Sequence, residues 1–557
     1  MYKQKNGGSM NRFLVPLLIT CIGSVFITNA DNPIITQKYT ADPNAIVYND
    51  RVYVFCSNDD NNPSDGFNIV DYTLVSSDDM ANWTDHGEVF EVPRDASWCK
   101  QAYAPGAVVK NNKVYLYFPD GGSQIGVAVA DRPEGPYKDP LGKPLITKSM
   151  PNCNVEWLFD PAGFVDTDGK GYLYFGGGGS TPGANLRVIK LKDDMISVDG
   201  TALTIQAPRS FEAAFMHKYK NTYFFSYSND FQGPPNAQIA YMTGSSPLPQ
   251  FTHKGSVLDN PALNGTNINK GNNNHASIVE YKDKWYIFYH DRRLSDQVYK
   301  RSVSVDLVTY NNDGTLMNLT KVTTGVPQIK NLNPYDTIQA ETINQQSGIK
   351  TDVCSEGGIM VNQIAANDFI RIKGVDFGTD GATKFEVRAA SGSSGGSIEL
   401  RLGKKDGTLV GTCDIAGTGG WTTWKTFESK VENCKGVNDL YLVFKGSGEP
   451  YRLNWYRFTS DEGTNVSETG KINQLKKVTV NCSKSIIRTE FQSQDNGTVS
   501  LGVYNLNGAS VTTNSFVARA GELYSKSFDL STMPTGYYIV KIISNNTKHV
   551  SKVLLTK

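Results

Sequence analysis

Hydrophobic and polar positions recur along the first 330 residues in one repeated order. Five times a short start containing Pro or Ala leads through an apolar stretch and a polar turn into a strand rich in aromatic residues. The segments are ADPNAIVYNDRVYVF from Ala41, YAPGAVVKNNKVYLYF from Tyr103, FDPAGFVDTDGKGYLYF from Phe159, FEAAFMHKYKNTYFFSYS from Phe211 and HASIVEYKDKWYIFYH from His275. Alternation with a period of two predicts paired strands, and the short polar breaks predict hairpin turns. The lead residues Asp42, Ala104, Asp160, Glu212 and His275 stand 62, 56, 52 and 63 positions apart. Each lead precedes its strand tyrosine (Tyr53, Tyr115, Tyr172, Tyr223, Tyr286) by 11 residues, or by 12 in the third segment, whose turn Asp166-Thr167-Asp168-Gly169 is one residue longer.

Five repeats of this length each hold about four strands, which predicts an all-β chain that opens with a five-bladed β-propeller over residues 32–330. A propeller sets equivalent positions of its blades around one axis. Asp42, Asp160, Glu212 and His275, far apart in sequence, are therefore expected to converge. After a Pro- and Asn-containing junction at Gln328 to Tyr335, residues 335–458 alternate with a different rhythm and predict a β-sandwich. Residues 459–474 are polar and read as a linker. From about Val478 the alternation returns over 475–557: Val499, Leu501 and Val503 share a face, Asn507-Gly508 marks a hairpin, and Pro534-Thr535-Gly536 precedes Tyr537 to Lys541, the pattern of a second, smaller β-sandwich.

At the other end, the apolar run Phe13 to Ile27 follows Arg12 and closes on Thr28-Asn29-Ala30. It is too short for a membrane span and predicts a secretory signal peptide over residues 1–30, hence export and no membrane insertion. A lipoprotein reading on Cys21 fits less well, because Thr20 precedes it and the apolar run continues past it. The seven cysteines that remain, Cys56, Cys99, Cys153, Cys354, Cys413, Cys434 and Cys482, are odd in number, sparse and without CxxC spacing, so neither a disulfide framework nor a cysteine metal site is expected.

Charge narrows the partner. Lys+Arg 55 balance Asp+Glu 55, which leaves no electrostatic footprint for nucleic acid and favours a neutral partner. Three carboxylates crowding one pocket for a neutral substrate suit glycoside hydrolysis, in which one carboxylic acid protonates the leaving oxygen and a carboxylate opposite activates water. A third carboxylate keeps the acid protonated by like-charge repulsion. Any one Asp-Pro could be a turn element, but three acidic leads in register favour catalysis. Two other motifs are set aside: Gly176 to Gly179 lacks the helix and Lys of a phosphate loop, and Ser76 to Trp83, similar to a sialidase Asp-box, has no accompanying arginine cluster.

The five segments resemble glycoside hydrolase family 43. The resemblance implies Asp42 as general base, Asp160 as the residue that tunes and orients the acid, Glu212 as general acid, and inversion at the anomeric carbon. It also implies His275 as the axial histidine associated with a structural calcium ion, none being required for the chemistry, and Arg301 as a sugar-pocket donor. Residues 335–458 resemble a family 6 carbohydrate-binding module through Ile338-Gln339-Ala340-Glu341, Asn367-Asp368-Phe369-Ile370, Gly420-Trp421-Thr422-Thr423-Trp424 and Leu453-Asn454-Trp455-Tyr456. There Trp421 is the candidate sugar platform and Glu341 a weak match to a calcium ligand, while Gln363 and Arg452 stand where relatives often have Tyr and Asn. The C-terminal segment, ending Lys552-Val553-Leu554-Leu555-Thr556-Lys557, resembles a type IX secretion sorting domain.

Together these imply a secreted or cell-surface enzyme of plant cell-wall polysaccharide, most simply an α-L-arabinofuranosidase acting on arabinoxylan or arabinan. Arg301-Ser302-Val303 leading into Asn311 to Thr315 is similar to arabinoxylan-debranching members. β-Xylosidase or endo-arabinanase activity, and a non-catalytic sugar-binding propeller, are the competing readings.

Overall fold

A computed structural model of the protein describes residues 32–231, 237–259, 273–319 and 324–460, and in the C-terminal part residues 476–483, 485–493, 496–505, 510–544 and 547–555. The expected signal peptide, most of the expected linker and the Asn507-Gly508 turn lie outside them. Every regular element among the described residues is a strand.

Five antiparallel sheets follow one another along the chain. Their first strands are Thr40–Tyr48, Gly106–Lys110, Ala162–Val165, Ser210–Tyr219 and Ala276–Tyr281. Each of these packs against the first strand of the next sheet, and Ala276–Tyr281 returns to Thr40–Tyr48, so the five sheets close a ring with these strands innermost. The second strands carry the repeated tyrosines, all five of them buried. Aromatic side chains fill the seams between sheets: Phe55, Tyr72, Phe90 and Phe118 between the first and second, and Trp83, Tyr286 and Phe288 between the fifth and first. Such seams hold the ring together because every sheet is apolar on both faces.

An open sheet edge invites unwanted pairing, and two edges here are covered. The fifth sheet ends at Ser302–Val308, where Ile34 N–H donates to Val303 O (2.8 Å) and Asn32 brackets Val305 with two hydrogen bonds of 2.9 and 3.0 Å. The first sheet ends at Trp83–Glu91, which pairs with Thr342–Ile343 of the following domain.

That domain is a sandwich of two antiparallel sheets around Phe385, Val387, Ile398, Leu442, Phe444 and Phe458. It forms one compact unit with the propeller. The Asp-box-like turn makes much of the junction. Asp79 Oδ1 accepts from the N–H groups of Ala81 and Asn82 (both 2.8 Å), and Asn82 then exchanges two hydrogen bonds with the Lys373 backbone (2.8 and 2.9 Å). The C-terminal unit, beginning at Thr464, has a three-stranded and a four-stranded sheet around Ile487, Phe491, Leu501, Val540 and Leu555.

Candidate active site

The innermost strands of the first, third and fourth sheets deliver the three carboxylates. Asp42 sits in a bulge between Ala41 and Asn44, with φ of 48°, and Asp160 precedes its strand with φ of 50°. Asp tolerates this left-handed conformation better than most residues, and the bulge frees its side chain from the ladder. In the fourth sheet the left-handed residue is Ala213, at 62°, one position after Glu212. The equivalence of the leads in sequence is therefore broken here: Asp42 and Asp160 occupy the kink, while Glu212 stands before it.

Asp42, Asp160, Glu212, His275 and Arg301 line one small pocket of about 90 Å³ together with Phe67, Ile69, Tyr103, Ala104, Phe159 and Asn273. Ala213 N–H donates to Asp160 Oδ2 (3.1 Å), joining the third and fourth sheets directly. Asp42 accepts from Arg301 Nη1 at Oδ1 (2.6 Å) and from Ser57 Oγ at Oδ2 (2.8 Å). Its backbone N–H donates to His290 Nδ1 (3.1 Å), which places the His290 proton on Nε2.

These neighbours set opposite protonation states. Burial would raise Asp42, but the Arg301 guanidinium outweighs it and holds the carboxyl well below the usual range. At Asp160 burial dominates, joined by the Asp42 charge, and pushes the carboxyl up to about 8. At Glu212 burial, then the charges of Asp160 and Asp42, hold the carboxyl well above its ordinary value against the pull of Arg301 and Arg292. At neutral pH the pocket thus presents one carboxylate, Asp42, beside two carboxyl groups, Asp160 and Glu212, that both hold their protons.

Arg301 lines the pocket with most of its donors already engaged by the protein. Its Nε and Nη2 donate to Asp59 (2.7 and 2.9 Å), as does its backbone N–H (2.9 Å), and Nη1 is taken by Asp42. The guanidinium lies 4.6 Å from the Phe67 ring centre and is almost wholly buried. It lines the pocket chiefly as the clamp on Asp42. Sequence reading missed Asp59, Ser57, His290 and Arg292, which have no counterparts among the repeat leads. The one visible signal was the polar end His290-Asp291-Arg292 on an otherwise aromatic strand.

His275 Nδ1 lies 3.7 Å from Asp42 Oδ1 and 4.0 Å from Asp160 Oδ2. Burial lowers the imidazole to about 4, so it is neutral and makes no ion pair. Among the described residues no group of three or more His, Cys, Asp or Glu side chains is placed to hold a metal ion. Glu341 lies away from this pocket, at the junction with the first sheet. Its Oε2 is buried without a hydrogen-bond partner, and burial pushes the carboxyl up to about 8. Trp421 lies in the sandwich, with the Arg452 guanidinium 4.8 Å from its ring centre and the Gly392 backbone against its edge. The Arg452 side of the ring is thus covered.

A ring of five sheets with an ionised carboxylate and a protonated one in an axial pocket defines a glycosidase. The model of glycosyl hydrolases family 43 matches residues 30–316, and the chain belongs to that family. Residues 339–460 match carbohydrate binding module family 6, and residues 480–556 match a secretion system C-terminal sorting domain, which marks the protein as secreted or displayed at the cell surface. The chain is 38% identical over 486 residues to an arabinoxylan arabinofuranohydrolase of Paenibacillus polymyxa, covering 79% of this chain and 76% of the relative. It is 39% identical over 478 residues to the arabinoxylan arabinofuranohydrolase of Bacillus subtilis strain 168, covering 77% and 92%. A crystal structure of a family 43 arabinoxylan arabinofuranohydrolase from Bacillus subtilis, in complex with cellotetraose, aligns with a TM-score of 0.72 at 39% identity, covering 77% of this chain and 97% of that one.

Proposed function

We propose that the protein removes α-L-arabinofuranosyl side chains from plant arabinoxylan by a single displacement with inversion. The observation that carries the chemistry is the pair of opposite protonation states in one pocket, Asp42 ionised and Glu212 protonated. The arabinoxylan arabinofuranohydrolases that resemble this chain over most of its length support the substrate.

In this reading Asp42 is the general base. It takes a proton from a water whose oxygen bonds to the anomeric carbon while the bond from that carbon to the xylan oxygen breaks. Glu212 gives its proton to the departing oxygen, so that Asp42 ends protonated and Glu212 ionised, and exchange with solvent restores both. Burial keeps Glu212 protonated, and Asp160 opposes a second ionisation, since whichever of the two loses its proton first repels a charge on the other. Arg301 holds Asp42 in place and ionised. No step runs through a calcium ion.

Incubation with arabinoxylan oligosaccharides should release arabinose, with proton NMR showing the β anomer first from an α linkage. Asp42→Asn and Glu212→Gln should each lower kcat/KM on these substrates by roughly 10²–10⁴-fold. Release of xylose alone would overturn the substrate, initial release of the α anomer would overturn inversion, and full activity in both variants would overturn the residue roles.

A further inference from the structure

The run Gly176 to Gly179, which is no phosphate loop, lies between the two segments that carry Asp160 and Glu212. Gly176 N–H donates to Phe159 O (2.9 Å), and Gly178 N–H donates to Phe211 O (2.8 Å). Phe159 and Phe211 are the residues immediately before Asp160 and Glu212. Two N–H groups of one short run therefore suspend both carboxylate-bearing segments, with Gly177 between them at the point of closest approach. A Cβ on Gly177 would lie 2.4 Å from Phe211 O and 2.5 Å from Phe159 Cε1. The first of these is a backbone atom and cannot retreat without carrying Glu212 along.

We infer that Gly177 is a positioning residue for the general acid: its missing side chain sets how closely the Glu212 segment approaches the Asp160 segment. This rests on the reading of Glu212 as the acid. A residue that acts only through the acid should matter where protonation of the leaving group matters and not elsewhere. An arabinosylated xylo-oligosaccharide leaves as a sugar alkoxide and needs the proton, whereas 2,4-dinitrophenolate departs from its α-L-arabinofuranoside without it.

The test measures kcat/KM of the full chain on both substrates for the wild type, Gly177→Ala, Glu212→Gln and Gly126→Ala. Gly126 is a steric control in the second sheet, where a Cβ would lie 2.5 Å from both Phe118 Cζ and Trp98 Cζ2, away from the carboxylates. Gly177→Ala is expected to lose on the order of 10²-fold on the oligosaccharide and only a small fraction of that on the dinitrophenyl glycoside. Gly126→Ala is expected to melt earlier with the ratio of the two rates unchanged. Equal losses on both substrates in Gly177→Ala, or no loss on the oligosaccharide, would overturn the inference. If Glu212→Gln itself shows no selective loss, the assignment of the acid fails instead, and the two failures are told apart. Should Gly177→Ala not fold, the same substitution in a Phe159→Leu background, which removes the ring atom that the new Cβ would also meet, reads the ratio against Phe159→Leu alone: a selective loss supports the inference and an equal loss overturns it.

Discussion

Arg301 serves two carboxylates at once, Asp59 through Nε and Nη2 and Asp42 through Nη1. Among the described residues no cation is so placed on Asp160 and Glu212, and that difference in partner, more than any difference in burial, separates the ionised Asp42 from the two protonated carboxyls. The charge on Asp160 has a measurable consequence. Asp42, Asp160, Arg301 and Arg292 are the charged groups that act on Glu212. With Asp42 held ionised, kcat/KM should stay flat on the acid side into the ordinary carboxylate range and fall on the alkaline side as the Glu212–Asp160 pair gives up its proton. Asp160→Asn removes a negative charge that favours the protonated acid, so Glu212 should lose its proton at lower pH and the alkaline limb should move acidward by about one unit or more. A limb that stays in place or moves to higher pH would refute this role for Asp160. The three acidic residues were legible because repeat spacing marks positions, and a ring converts position into proximity. Asp59 was not: it closes a second strand without any repeated partner, and nothing in a sequence tells which way the Arg301 guanidinium points.

Strands and turns carry the next level of control. Repeat alignment located all five innermost strands but not the one-residue displacement of the kink in the fourth, because a bulge changes the backbone without changing the hydrophobic alternation. The junction with the sandwich was equally silent. There Asp85, fully buried at the edge of the first sheet, is bound by Lys38 (3.0 Å) and by Thr351 of the sandwich (2.6 Å). Burial would raise its carboxyl, and Lys38, Thr351 and the Gly87 N–H together lower it. A lowered folded value means that this contribution to stability is present above the ordinary Asp range and is lost as pH falls through the folded value. Lys38→Met should therefore destabilise the propeller–sandwich unit by about 3 kcal/mol at neutral pH, as expected when one partner of a buried pair is removed. The deficit should shrink on acidification, when Asp85 can take up a proton. Denaturant melts of both proteins at neutral and acidic pH measure it; a deficit that does not depend on pH would mean that Lys38 acts only by packing.

At the scale of the molecule the boundary along which the chain divides is not the one between the propeller and the sandwich. Those two share a strand pairing, Thr342 with Thr84 and Ile343 with Trp83, and buried hydrogen bonds such as Asn344 Nδ2 to Ala81 O (2.8 Å), whereas the second compact unit begins at Thr464. Composition and alternation distinguished three domains but could not rank their junctions, since main-chain pairing between domains leaves no mark in side-chain pattern. Two truncations separate the cases. A chain ending at Gly463 keeps every contact of the propeller and the sandwich, and its kcat/KM on soluble arabinoxylan oligosaccharides should stay within about twofold of the full chain, a change too small to signal lost transition-state stabilisation. A chain ending at residue 330 bares the Trp83–Glu91 edge and strips Asn82, Ala81 and Asp85 of their sandwich partners. At roughly 1 kcal/mol for each buried hydrogen bond, and with an open edge free to pair with other chains, it should melt earlier and aggregate. If the shorter chain were as stable as the longer one, the sandwich would be a tethered passenger, and its docking on the first sheet would contribute nothing to holding the strand that carries Asp42.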